Sequence, residues 1–289
     1  MPLPSIYCVH SVLVPLFRDI RAAWRLIHVV WLVLRGIATV RICFPRWGAV
    51  QQRAMKQAWS RRLVEVLGVR IDPCDVQLPA STLIVCNHIS WLDVFVMNAL
   101  TPTTFVCKDE VKDWPALGWL VEHSGTLFIE RGSRAAAARS AQAMTMRLTG
   151  GERIAVFPEG TTTQGSSMLP FRAALFQAAI DAQVSVQPAS LRYRDATGAR
   201  SHAPAYDGDL SFGQSMLNIV RASGIHAEIR FLEALAPTCG RRELARLSEA
   251  AITRDLGFMP IPEEQILDDE LAAAPDAGSP LPADAARAA

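Results

Sequence analysis

A layered α/β domain with a mixed, mostly parallel sheet flanked by helices, preceded by an apolar helical hairpin, is the architecture this sequence predicts. Three observations predict it. From Val69 onward, short runs rich in β-branched residues alternate with helical stretches, the pattern of strands joined by crossover helices. Hydrophobic residues make up 50% of the 289 residues and charged residues 20%, enough apolar material to cover both faces of a sheet. The first 70 residues are apolar and basic at once, with eleven Lys and Arg against only Asp19 and Glu65.

Leu26 to Phe44 is the most hydrophobic stretch, bounded by Arg25 and Arg46 and long enough to cross a bilayer. Arg35 near its middle opposes a crossing, because a central arginine costs about 2.5–3.5 kcal/mol on insertion scales. Ala49 to Leu67 follows Pro45 as a second helix, with Met55, Trp59, Leu63 and Leu67 at four-residue steps. Residues 1–68 are therefore expected to form a membrane-associating hairpin, dipping into one leaflet or spanning the bilayer. Two core helices of a soluble domain are the alternative. The basic charge suits an anionic membrane surface. Nucleic acid would attract it too, but the interleaved Leu, Val, Ile and Trp come in long runs rather than as spaced stacking aromatics, so no nucleic-acid partner is expected. No cleavable signal peptide is expected, since the start has no basic cluster.

Residues 69–262 carry the α/β pattern. Strands are expected at Ser81–Asn87, Thr104–Lys108, Thr126–Arg131, Arg153–Phe157, Val184–Tyr193 and His226–Leu235. Helices are expected at Asp93–Leu100, Leu117–His123, Ala135–Leu148, Phe171–Ala182 and Arg241–Leu256. From Pro260 on, seven acids stand against Arg287 and the chain becomes rich in Ala and Pro, so 263–289 is expected to be a disordered tail. The six cysteines show no paired metal spacing, so no metal is expected. Their places in apolar segments suit reduced thiols on the cytosolic side.

Chemistry concentrates where strands end. In Val85-Cys86-Asn87-His88-Ile89-Ser90-Trp91-Leu92-Asp93, a buried strand runs into a polar turn and Ser90 opens a helix. Asp93 then lies on the first helical turn, within reach of the His88 imidazole. A carboxylate on one ring nitrogen fixes the tautomer and leaves the other free to accept a proton from a hydroxyl. The same letters also fit a plain capping box beside a turn histidine.

Gly125-Thr126-Leu127-Phe128-Ile129-Glu130-Arg131 is a turn glycine, a strand and an arginine at the strand end. A guanidinium beside a helix start suits a phosphate or carboxylate, although a solvated strand terminus is the commoner case. Phe157-Pro158-Glu159-Gly160-Thr161 ends the next strand in a turn where glycine allows close backbone approach. In Val184–Ala189, Pro188 interrupts a strand at a position that an interior, fully paired strand is expected to refuse.

These segments, in this order, resemble the glycerolipid acyltransferase family typified by 1-acylglycerol-3-phosphate acyltransferases. The family's histidine, four residues, aspartate motif is matched by His88 and Asp93. Its second block is matched by Gly125, Phe128, Ile129, Glu130 and Arg131, its third by Phe157, Pro158, Glu159, Gly160 and Thr161, and its late hydrophobic-proline strand by Pro188. Thr162 stands where many members have arginine, and Ala174 where a glycine is usual. Such features, with Trp114–Leu120, are similar to the branch that acylates lyso-ornithine lipid.

The resemblance implies direct transfer of an acyl group from acyl-CoA or acyl-carrier protein to a lysolipid hydroxyl, with no further cofactor. It makes His88 the base, Asp93 its partner, and Arg131 with the Glu159–Gly160 block the holder of a phosphate-bearing acceptor. The expected product is phosphatidic acid from 1-acylglycerol-3-phosphate; lyso-ornithine lipid is the alternative acceptor. The expected location is the inner (cytoplasmic) membrane, with the site on the cytosolic side. No serine lies in a nucleophile elbow, which weighs against a covalent route or a hydrolase. A non-catalytic lipid-binding protein of the same fold is the remaining alternative. Amides near Gly160 or after Asn87 are the candidate oxyanion donors.

Overall fold

The computed structural model describes residues 6–74, 77–113, 117–129 and 134–259. Two helices lead: α1 (Ile6–Ile42) and α2 (Ala49–Leu67). The sheet and its helices follow in the order β1 (Val69–Ile71), β2 (Thr82–Cys86), α3 (Leu92–Leu100), β3 (Thr104–Lys108), α4 (Leu117–His123), β4 (Leu127–Ile129), α5 (Arg134–Thr149) and β5 (Arg153–Val156). The chain then runs through α6 (Gln177–Asp181), β6 (Val186–Arg194), α7 (Phe212–Arg221), β7 (Ile225–Phe231) and α8 (Arg241–Leu256).

The seven strands form one sheet in the order β1-β7-β6-β2-β5-β3-β4. Strands β2, β3, β4, β5 and β6 run parallel, whereas β7 pairs antiparallel with β6 and carries β1 parallel to itself. The expected mixed, mostly parallel sheet is what forms. Strand β2 shows why it must be central. Ile84 and Cys86 join an apolar cluster with Leu32 of α1, Leu67 of α2, Val96 of α3 and Ile219 of α7. Leu83 and Val85 join a second cluster with Met144, Leu148 and Ile252 of α5 and α8. Side chains of a strand alternate between faces, so an unbroken apolar run requires helices on both sides.

Pro188 corrects an expectation. It lies in an interior strand, paired with Val85 on one side, while the β7 register places Ala189 opposite Phe231 and hence Pro188 opposite Leu232. The Leu232 amide donates to the Pro188 carbonyl (2.9 Å), but proline has no N–H to return. The Gln187 side-chain amide donates to the Leu232 carbonyl instead. A neighbouring side chain thus supplies the missing ladder donor, which is how an interior position accepts proline.

Helix α1 is much longer than its hydrophobic centre. Leu16–Arg46 is apolar and long enough to cross a membrane by length and composition. Its two faces differ. Ala22, Val29 and Leu32 are buried against the domain, whereas Phe17, Ile20, Trp24, Ile27, Trp31 and Leu34 are more than half exposed. Helix α2 secures the inner face, where Trp59 donates its indole N–H to the Leu32 carbonyl (3.0 Å). Gly36 lies directly beneath that indole, and an added Cβ would stand 2.9 Å from its nitrogen.

Candidate active site

Strands β2 and β5 are neighbours in parallel register, so the turns that follow them, at residues 87–91 and 157–163, meet at one edge of the sheet. Asn87 closes the β2 turn onto β6: its side chain donates to the Leu191 carbonyl (2.9 Å) and accepts from the Leu191 amide (2.7 Å). This places Tyr193, two residues on, beside the start of α3.

Asp93 is 1% exposed and four donors converge on it. Oδ2 accepts from His88 Nδ1 (2.9 Å), the Ile89 amide (2.7 Å) and the Ser90 amide (2.9 Å), and Oδ1 accepts from the Tyr193 hydroxyl (2.7 Å). Burial, and then the Asp93 charge, push the Tyr193 phenol well above its ordinary range, so it remains a donor. Asp93 returns to the amides ahead of the helix, and the same oxygen holds the imidazole.

His88 is fixed on every side but one. Its amide donates to Glu159 Oε1 (2.7 Å), its carbonyl accepts from the Thr163 amide (2.9 Å), and its ring stacks on Phe157 with centroids 3.9 Å apart and planes 6° from parallel. In the neutral ring, an Nδ1–H donated to Asp93 leaves the lone pair on Nε2. It makes no hydrogen bond among the described residues, and the side chain is 19% exposed. A base with a fixed tautomer and an open nitrogen can deprotonate a hydroxyl brought to this edge.

Glu159 is 3% exposed. Besides the His88 amide it accepts the Leu169 amide on Oε2 (2.8 Å), so both oxygens pin loops. Burial, reinforced by Asp93 and Glu249 and opposed by those two donors, pushes it up to about 8. Between about pH 4.5 and 8 the folded protein therefore holds a proton that the unfolded chain has released, and stability falls as pH rises through that window, by on the order of 4 kcal/mol. The melting temperature is expected to drop from pH 5 to pH 8.5, and Glu159→Gln to flatten that slope. An unchanged slope in the variant would place the titration elsewhere.

Gly160 adopts φ +75°. Any Cβ there would stand 2.8 Å from Nε and 2.9 Å from Cζ of Arg172, so the glycine admits a guanidinium. Arg172 is exposed and has no acidic partner among the described residues. The adjacent Thr161 and Thr162 amides donate no hydrogen bond among those residues. The Thr162 hydroxyl donates to the Tyr206 carbonyl.

His88, Asp93, Phe157, Pro158, Glu159, Gly160 and Thr161 are thus brought together. Pro188 is two strand positions inside the sheet from this edge, paired with Val85. Gly125, φ +87°, precedes β4 and so lies at the opposite end of the parallel strands. Phe128 is on edge strand β4, under Lys112 Nζ at 4.6 Å; Ile129 is on the same strand, which β3 and β5 separate from β2. Arg131 and Glu130 lie outside the described residues. Of the candidate oxyanion amides, those of His88, Ile89 and Ser90 serve Glu159 and Asp93, and that of Gly160 donates to the Phe157 carbonyl (3.1 Å), whereas those of Thr161 and Thr162, beside Gly160, donate no hydrogen bond among the described residues. Tyr193, Thr163 and Arg172 were not singled out from sequence. A tyrosine in a buried strand demands a hydroxyl partner, a signal that could have found the first.

Residues 75–192 match the acyltransferase family. The chain is 36% identical over 232 residues to the lyso-ornithine lipid O-acyltransferase of Pseudomonas aeruginosa, covering 76% of this chain and 89% of that protein. The chain belongs to the acyltransferase family. Within that family it is also 37% identical over 166 residues to the 1-acyl-sn-glycerol-3-phosphate acyltransferase of Neisseria gonorrhoeae, covering 57% of this chain and 65% of the relative. The fold is similar to the crystal structure of the 1-acyl-sn-glycerophosphate acyltransferase of Thermotoga maritima, with a TM-score of 0.55 at 19% identity over 81% of this chain and 96% of that one.

Proposed function

We propose that this acyltransferase-family protein moves a fatty acyl group from acyl-CoA or acyl-carrier protein to the hydroxyl of a lysolipid, with 1-acylglycerol-3-phosphate as acceptor and phosphatidic acid as product. The observation that carries the reading is the open Nε2 of His88 on an otherwise immobilised ring. The acceptor hydroxyl gives its proton to Nε2 as its oxygen attacks the thioester carbonyl. The tetrahedral intermediate collapses, the C–S bond breaks, and the imidazolium returns the proton to the departing thiolate. A thioester is already activated, so no enzyme nucleophile is needed.

Arg172, Thr161 and Thr162 support an anionic acceptor, since a guanidinium packed against Gly160 beside two amides that donate no hydrogen bond among the described residues suits a phosphate monoester. Arg131 is proposed to join them. Arg172→Gln is expected to raise KM for 1-acylglycerol-3-phosphate about tenfold with kcat little changed, and Arg172→Lys to recover part of the loss. An unaltered KM would remove Arg172 from the acceptor site.

The second reading, lyso-ornithine lipid as acceptor, is favoured by the longer match to the Pseudomonas aeruginosa relative. The test uses full-length protein in detergent, labelled acyl-CoA or acyl-carrier protein, and lysophosphatidic acid, lyso-ornithine lipid or no acceptor. Transfer to one lipid names the acceptor. Thioester loss without any acceptor would make the protein a hydrolase, and lipid retention without turnover would make it a binding protein. The exposed apolar face of α1 supports anchoring in one leaflet of the cytoplasmic membrane, with His88 on the cytosolic side.

A further inference from the structure

A cleft of 680 Å³ lies between α1, the end of α2, the start of β1 and the α7–β7 turn, lined by Arg21, Arg25, Arg70, Glu65 and His226. In the sheet it is separated from His88 by β7 and β6. Two of its arginines have a structural duty. Arg25 Nη1 donates to the Val220 and Ala222 carbonyls (2.9 and 3.0 Å), and Arg21 Nη2 to the Arg221 carbonyl (3.1 Å), capping the end of α7.

That duty leaves donors over. Arg21 Nε is buried without a hydrogen-bond partner. The Arg25 guanidinium rests against Gly68, φ +80°, where an added Cβ would come within 1.8 Å of Nη2, so the wall is shaped around it. Arg70 is exposed and makes no ion pair among the described residues. The acids nearby are otherwise engaged: Glu65 with Arg62 (3.2 Å), Asp72 with His226 (3.1 Å), and Asp19 with Arg221 (3.2 Å). Three guanidinium groups, two of them one turn apart on α1, therefore share a cleft with little compensating charge. An anion would relieve that repulsion.

The surroundings select the anion. Phe17, Ile20 and Trp24, all more than half exposed, flank Arg21 on the same helix. An apolar stripe beside a cluster of arginines matches the boundary between acyl chains and headgroups. We propose that this cleft is a second, non-catalytic site for the phosphate of an anionic phospholipid headgroup. It goes beyond the proposed transfer reaction and does not depend on it.

The test is native mass spectrometry of full-length protein in mild detergent, titrated with phosphatidylglycerol, phosphatidylcholine or inorganic phosphate. The variants are Arg70→Gln and the double variant Arg21→Gln Arg70→Gln, with Arg200→Gln as a charge-matched control elsewhere on the surface. One phosphatidylglycerol is expected to be retained in preference to phosphatidylcholine, about tenfold more weakly in the double variant and as in the parent protein in the control. Arg70→Gln breaks no hydrogen bond of the fold, and a partial loss is expected from it alone. Acyl transfer in micelles is expected to be unchanged in all three. Equal loss in Arg200→Gln, or no loss in Arg70→Gln and the double variant, would overturn the site. Retention of inorganic phosphate without an advantage for lipid would overturn the headgroup assignment.

Discussion

Replacing His88 with alanine is expected to lower kcat for acyl transfer by about a thousandfold, the middle of the range for a positioned general base, with a thermal transition close to that of the parent protein. The separation follows from where the ring stands. It is partly exposed, and its removal costs one of four donors on Asp93 and a stacking contact with Phe157, the latter about 1 kcal/mol. The bonds that hold the turn, to Glu159 and from Thr163, are made by the His88 backbone and survive the substitution. Initial rates with acyl-CoA and each lysolipid, together with melting curves, check both halves. Activity within tenfold of the parent would remove His88 as the base and leave lipid binding as the reading.

Much of this edge was legible in the sequence because short-range rules govern it. The Ile-Val-Cys-Asn-His run has to leave a buried strand at a polar turn, and an acid five residues later falls on the first turn of the next helix. Helix α7 went unassigned although Ser211 and Gln214 form a capping box at its start; loop-like residues before it masked the signal. Strand β1 is three residues long, too short to show alternation. Pro188 misled because the compensating donor, Gln187, acts on a carbonyl 45 residues away. Arg172 was hidden for the same reason: it meets Gly160 through a loop that Glu159 folds back by binding the Leu169 amide. Contacts made across the sheet edge depend on strand order, and the order β6-β2-β5 cannot be read from local pattern.

Asp93→Asn is expected to separate the two duties of the aspartate. The Ile89 and Ser90 amides both point at Oδ2, so an asparagine must place its carbonyl oxygen there, since its NH2 would face two donors. The remaining NH2 then meets the Tyr193 hydroxyl, which can turn and accept. The His88 tautomer is thereby kept, and what disappears is the negative charge that stabilises the imidazolium during transfer. A fall in kcat of about a hundredfold to a thousandfold is expected, with KM for the lysolipid nearly unchanged. Asp93→Ala differs in kind: it leaves three buried donors without an acceptor and the imidazole free to rotate. At about 1 kcal/mol or more for each orphaned group, it should lose at least about 3 kcal/mol of stability as well as activity. Denaturant unfolding and steady-state kinetics on both variants make the comparison. If asparagine were as destabilising as alanine, or left kcat untouched, the carboxylate would be a structural cap with no part in proton transfer.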